Sequence, residues 1–306
     1  MSNKNRTIYN RVARLTFACS FLLSAFAWSS DHWDSVQITT VPVADGLYML
    51  MGEGGNIGVS VGTDGTFIID DQYAQLTDKI SAALTEISGT KPRFLINTHW
   101  HGDHAGGNEN FGEAGAVIVA HENVRASLLV EKSIPLFNMV KPPSPKAALP
   151  LITFKDQMSL HLNGDDVRLY HIANAHTDGD AIVYFSKANV VHTGDVFFNG
   201  FYPFIDTNSG GSIAGMIAGS KAVLDLANDK TRIMPGHGPL ATKAELQAYH
   251  DMLVLAEANI RKLVDEGKTE DQIVAAKPTA ALDSAWADGF LSPEVWVRIV
   301  YSGMQK

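Results

Sequence analysis

The sequence predicts a layered α/β protein. Short β-branched runs alternate with amphipathic helical stretches, each half contains a hairpin signal, and polar clusters recur directly behind strands. Apolar residues make up 45% of the 306 residues, with ordinary glycine and charge usage, so the chain has enough material for a substantial buried core.

In chain order, residues 36–50 alternate loosely around Pro42 and read as an edge strand or strand entry. Residues 57–61 and 67–69 are apolar and flank Thr63-Asp64-Gly65, a hairpin signal. Over residues 74–87 the spacing of Leu76, Ile80, Leu84 and Ile87 predicts a helix, and Gly89 stops it. Residues 93–97 and 117–120 read as short buried strands, and 122–130 as a helix. Five prolines (Pro135, Pro142, Pro143, Pro145, Pro150) break any regular element across residues 131–151. That stretch is either a surface loop or a flap over a pocket.

The second half repeats the style. Residues 158–162 and 167–172 form a hairpin across Asn163-Gly164-Asp165, and 181–185 and 189–192 are strands. An amphipathic helix over 212–226, a last strand over 232–234 and a long helix over 243–264 follow. Residues 270–276 and 293–301 are helical as well. No compositional linker interrupts the chain, which predicts one domain.

The N-terminus has a different character. Lys4, Arg6, Arg11 and Arg14 precede an apolar run over residues 15–28 that holds Ala25-Phe26-Ala27, a small-x-small cleavage pattern. Residues 1–27 are expected to be a signal peptide and 28–306 the mature domain, placing the protein in the periplasm or outside the cell. The run is short for a bilayer span. Cys19, the single cysteine, sits within it, with Thr16 rather than leucine three residues before, which disfavours a lipid anchor. The mature chain then holds no thiol, so neither a disulfide nor a thiolate metal ligand is available. Losing four basic residues and no acid takes the formal charge from −9 to −13. With no basic cluster left, nucleic acid and anionic membranes are excluded as partners, and a small-molecule substrate is expected.

The chemistry concentrates in Thr98-His99-Trp100-His101-Gly102-Asp103-His104, which follows the strand ending at Asn97. Three histidines and one aspartate within six residues, on a loop at a strand end, suit a zinc site that keeps a position for water. Three further clusters lie just beyond strands: His176-Thr177-Asp178-Gly179-Asp180, His192-Thr193-Gly194-Asp195 and Pro235-Gly236-His237-Gly238. Each is weak alone, since His192 also reads as a core histidine and His237 as a turn residue.

Taken together, HxHxDH, then a histidine, an aspartate in a Gly-Asp pair and a histidine in Gly-His-Gly resemble the metallo-β-lactamase superfamily, from about Val36 to the helix near Lys243. The resemblance implies an αββα sandwich with metals at the sheet edge. It implies His99, His101 and His176 on one metal, Asp103, His104 and His237 on a second, and Asp195 bridging two Zn2+. Such a pair shares one hydroxide, polarises the carbonyl under attack and stabilises the oxyanion, with Asp103 orienting the hydroxide.

Departures sort the members. Where cysteine-containing β-lactamases carry a thiolate this chain has Asp195, and where they carry an anchoring lysine it has Phe198. His104 with a bridging Asp195 is similar to hydroxyacylglutathione hydrolases and lactonases. Asn208 sits roughly where some relatives contact the oxyanion, and equally reads as a turn residue. Asp70 and Asp71 are either hydrogen-bond partners of the ligand imidazoles or strand-end caps. His32, His121, His161, His171 and His250 read as structural. Phe201, Tyr202 and Phe204 line either the pocket or the core.

The expectation is an exported dinuclear zinc hydrolase of β-lactam amides, weak or promiscuous in the absence of a cationic anchor, with lactone or thioester hydrolysis as the alternative. An iron-binding redox relative is disfavoured because all seven ligand positions are filled, and a metal-free interaction protein for the same reason.

Overall fold

The computed structural model describes residues 30–305, so the expected signal segment and Cys19 lie outside the described residues. Val36–Lys306 forms one compact unit, while helix α1 (Ser30–Ser35) belongs to a separate one.

The strands run in order β1 (Thr39–Ala44), β2 (Leu47–Met51), β3 (Ile57–Gly62), β4 (Gly65–Ile69), β5 (Pro92–Ile96) and β6 (Val117–His121). A small hairpin, β7 (Lys132–Ile134) and β8 (Met139–Lys141), precedes β9 (Ile152–Phe154). Then come β10 (Gln157–Leu162), β11 (Asp165–Ile172), β12 (Asp180–Phe185), β13 (Val190–His192) and β14 (Arg232–Met234). Between them lie helices α2 (Thr77–Ser88), α3 (Gly102–Ala105), α4 (Asn108–Glu113), α5 (Glu122–Leu128) and α6 (Ile213–Leu226). Four more follow the last strand: α7 (Lys243–Asp265), α8 (Glu270–Ala275), α9 (Asp283–Trp286) and α10 (Pro293–Met304).

Two sheets face each other. The first has the order β1-β2-β3-β4-β5-β6-β9 and the second β10-β11-β12-β13-β14. Side chains alternate along a strand, so Phe67, Ile69, Ile96 and Val119 of the first sheet meet Val167, Leu169, Val183 and Phe185 of the second in one core. Phe67 and Phe185 stack there at 6.0 Å. On its other face the second sheet packs Ile182, Val191 and Ile233 with α6, α7 and α10 through Met216, Val223, Leu246, Leu253 and Trp296. Val59, Ile68 and Leu95, on the opposite face of the first sheet, are buried too, and α2 turns Ile80, Ala83 and Leu84 inward. The αββα sandwich expected from the resemblance is the architecture observed.

The sheet directions decide where function sits. β4, β5, β6 and β9 are mutually parallel, and so are β13 and β14. Parallel strands deliver their C-terminal ends to one edge, where open α/β sheets hold their ligands. Asp70 follows β4, Thr98 and His99 follow β5, Asp195 follows β13 and His237 follows β14.

Three expectations need correction. Residues 36–50 are two antiparallel strands, β1 and β2, with Pro42 on the edge strand. The proline-rich stretch is not wholly irregular: β7 and β8 pair as Lys132↔Lys141 and Ile134↔Met139, and the prolines fall in the tip and the return. The histidine stretch is part helix, because His101, extended at φ −62 and ψ 151, caps α3.

Candidate metal centre

Two clusters of convergent ligand atoms stand at the sheet edge: His99, His101, His176 and Asp195, and beside them Asp103, His104 and His237. The structure thus brings together all seven residues singled out in sequence. Asp195 joins the halves, with Oδ2 3.3 Å from His176 Nε2 and Oδ1 3.0 Å from His104 Nε2 and 3.4 Å from His237 Nε2. His99, His101, His104 and Asp195 are buried, whereas the Asp103 and His237 side chains keep 24% and 18% exposure. The second half is therefore the one that faces solvent.

The outer nitrogen of each buried histidine is already committed as a donor. His101 Nε2 donates to Asp206 Oδ2 at 3.1 Å, and His176 Nδ1 to the Phe204 carbonyl at 2.8 Å. His104 Nδ1 donates to Asp70 Oδ2 at 2.7 Å. Thr98 Oγ1 gives its proton to Asp70 Oδ2 at 2.7 Å, so His99 Nδ1, 3.1 Å away, donates to that hydroxyl. These partners assign the tautomers, and in each neutral ring they leave the inward nitrogen as a bare lone pair.

The inward nitrogens nevertheless crowd together. His101 Nδ1 and His176 Nε2 are 2.8 Å apart, and His104 Nε2 and His237 Nε2 are 3.2 Å apart. His99 Nε2 and Asp195 Oδ1 are buried without any hydrogen-bond partner. Lone pairs aimed at one another and orphaned buried acceptors are unfavourable unless a cation sits among them. Nitrogen and oxygen donors with no sulfur suit zinc.

The electrostatics agree. Burial, opposed by Asp195 and reinforced by His104, holds His99 well below the usual histidine range. Burial, opposed by Asp195 and joined by His101, pushes His176 down to about 4. In the second half burial acts the same way, but Asp195 and Asp103 override it, raising His237 to about 9 and His104 well above the normal range. Against its own burial, Asp195 is held low by His104, His237, His176 and His99. In the first half His99 and His176 are held neutral beside one carboxylate; the second half demands positive charge.

Tight backbone approaches make the cluster possible. A Cβ at Gly236 would collide with the Asp195 carboxylate, and one at Gly55 with the His104 ring. Asn56, just before β3, donates to the carbonyls of Pro235 at 2.9 Å and Gly238 at 2.8 Å, and so fixes the turn that presents His237. Asp180 accepts from the backbone of His176 at 2.6 Å and Thr177 at 2.8 Å, pinning the turn between β11 and β12.

The sequence expectations divide here. Asp70 grips His104 and Thr98 from a left-handed backbone at φ 63, but Asp71 accepts from the Gly107 amide and reaches no ligand ring. Asn208 lies in the short 3-10 turn Thr207–Ser209, and its backbone N–H donates to Asp206 Oδ1 at 3.1 Å. Sequence reasoning stopped at Asn208 and missed Asp206, whose signal was an aspartate capping a Thr-Asn-Ser turn. Asn56 and Asp180 gave no signal that separated them from ordinary polar residues.

His192 is a satisfied core histidine, donating from Nε2 to the Asn56 carbonyl and accepting from Gly194. His121, His161, His171 and His250 find partners in Lys155, Asp166, Asp178 and Ser220. Tyr202 belongs to the core: it stacks on Trp296 at 4.1 Å and donates to Asp283. Phe198 stacks on His237 at 5.0 Å, while Phe204 lies 5.9 Å from His101.

The profile of the metallo-β-lactamase superfamily matches residues 51–246. A Caenorhabditis elegans protein described as a beta-lactamase-like protein 2 homolog is 24% identical over 225 residues, covering 72% of this chain and 68% of its own length. Among solved structures, DIM-1 metallo-β-lactamase aligns with a TM-score of 0.57 at 15% identity, over 72% of this chain and 99% of that one. The sec-alkylsulfatase Pisa1 from Pseudomonas sp. aligns at 0.66 with 17% identity, over 86% of this chain, which spans half of the sulfatase's length. Those structural likenesses establish the fold, and the profile match, which spans all seven convergent ligands, establishes the kinship: this chain belongs to the metallo-β-lactamase superfamily, whose reactions are hydrolytic.

Proposed function

We propose that this chain is an exported dinuclear zinc hydrolase that opens β-lactam amides. The observation that carries the reading is the inward convergence of histidine lone pairs on Asp195 and Asp103, with the outer nitrogens of His99, His101, His104 and His176 already spent. When bound, a zinc pair there supplies an activated water and stabilises the negative charge that develops on the substrate oxygen.

The chain's own residues divide the remaining work. His99, His101, His176 and Asp195 form the buried floor, oriented by Thr98, Asp206 and Phe204. Asp103, with Oδ2 3.3 Å from His237 Nε2 and its side chain partly open to solvent, is placed to hold or release a proton at the reacting centre. Opposed by burial, His104 and His237 keep the Asp103 carboxyl low, so it is an acceptor at neutral pH.

A second reading, hydrolysis of a lactone or thioester, is favoured by Phe198. Its ring, stacked on His237, offers no charge to a substrate carboxylate. Purified zinc-loaded protein assayed side by side on a chromogenic cephalosporin and an acyl lactone decides between them: turnover of the lactone without the cephalosporin reverses the order. Asp103→Asn is expected to fold normally and lose most turnover, on the order of a hundredfold, from loss of the proton acceptor. Wild-type rates in that variant overturn the role given to Asp103. Export rests on residues 1–27, and mass spectrometry of the mature N-terminus tests it.

A further inference from the structure

Around the opening of the cluster, aromatic rings close a circuit. Phe204 lies 5.9 Å from His101 and 5.7 Å from His176, and Phe137 at the β7–β8 tip lies 5.0 Å from Phe204. Phe290, in the loop before α10, follows at 6.1 Å from Phe137, then Phe201 at 6.2 Å from Phe290 and Phe198 at 5.7 Å from Phe201. Phe198 returns the circuit to the ligands, 5.0 Å from His237. Five rings from three separate segments thus link a ligand of one half to a ligand of the other.

Burial grades along the circuit. Phe198 and Phe204 are buried against the ligands, whereas Phe137 and Phe290 are 40% and 55% exposed. Exposed apolar surface of that kind, continuous with a reactive centre, marks a binding site more often than a fault in packing. A substrate whose reacting carbonyl sits at the cluster must lay the rest of itself along one wall, and these five rings offer it apolar surface without charge. We infer that the rim selects substrates with an uncharged, apolar arm several carbons long, laid across the exposed faces of Phe137 and Phe290. This specificity rests on the hydrolase reading and names the class of substrate within it.

The test measures binding as well as turnover. Zinc-loaded protein is titrated calorimetrically with butanoate, hexanoate, octanoate and decanoate, the acyl products of a matching ester series assayed in parallel. Affinity is expected to rise up to about fourfold per added methylene as each enters the rim. Phe137→Ser with Phe290→Ser, both at exposed positions, is expected to flatten that rise. Leu151→Ser, at a residue 78% exposed and outside the circuit, is expected to keep it. A flat series in the wild type, or an unchanged slope in the double variant, overturns the inference. A chain-length slope without turnover of any amide or ester sinks the hydrolase reading instead, and turnover with a flat slope sinks only the selectivity.

Discussion

Two groups of histidines in this chain are closely spaced, yet their chemistry is opposite. At the sheet edge His101 and His176 have rings 4.7 Å apart, nearly perpendicular, with their outer nitrogens spent and their inner ones facing each other. In the other group the His121 and His171 rings stack 3.7 Å apart, 7° from parallel. There His121 accepts from the Asn123 amide through Nδ1 and donates to the Lys155 carbonyl at 2.7 Å, while His171 donates to the Asp178 carbonyl. Neither histidine type nor burial identifies a ligand; inward nitrogens that face one another do.

The comparison breaks most readily at Asp195. Metal that binds only the folded state stabilises it by about 4 kcal/mol at a thousandfold excess over Kd. Zinc is therefore expected to raise the thermal midpoint of the wild type and a chelator to lower it again. Asp195→Asn removes the carboxylate that both halves share, so it is expected to lose zinc and nearly all of the chelator response. His121→Asn is expected to keep that response in full. If the two variants respond alike, the division between spent and unspent nitrogens is wrong.

A smaller effect is expected at Asp206, whose carboxylate reaches the centre through the His101 ring while its backbone amide donates to the His176 carbonyl. Partners that orient a ligand imidazole are typically worth 10–100-fold in metal affinity. Asp206→Asn retains an acceptor oxygen, so a loss near the low end, about tenfold, is expected in competition with a chromophoric chelator. An unchanged zinc affinity would show that His101 keeps its ring orientation without that carboxylate.

How much of this was legible in sequence follows from what each residue's role depends on. The ligands are legible because a metal demands rare residue types at fixed spacing behind strands, as in His99-Trp100-His101-Gly102-Asp103-His104. The strands are legible because apolar runs such as Phe67-Ile68-Ile69 fit nothing but a doubly covered sheet. The residues that orient ligands are less legible because their role depends on direction. Asp70 and Asp71 are identical in type and adjacent, yet a left-handed φ at Asp70 aims one carboxylate at His104 and leaves the other on Gly107. Asn56 acts 179 residues away in sequence, on Pro235, and only the packing of the two sheets brings it there. The prolines of residues 131–151 hid a hairpin because they fall at its tip and in the return rather than in the three-residue strands.

The smallest effect concerns the spent group itself. Burial, joined by His171 and opposed by the Lys155 carbonyl, lowers His121 below its ordinary pKa; Glu122 and Asp156 also pull weakly upward. In the unfolded chain this imidazole takes up a proton below about 6.5, while in the folded chain it resists. The unfolded state then binds more protons, so folding stability falls as pH drops through that value and is unaffected by this group above it. His121→Asn keeps an oxygen to cap α5 but cannot titrate. Measured in chelator, so that acid release of zinc plays no part, the thermal midpoint of the variant is expected to fall less steeply than the wild type's between about pH 7 and 5.5. Parallel curves would mean that the stacked pair accommodates a proton, and that His121, with both nitrogens engaged, is less rigidly neutral than its hydrogen bonds imply.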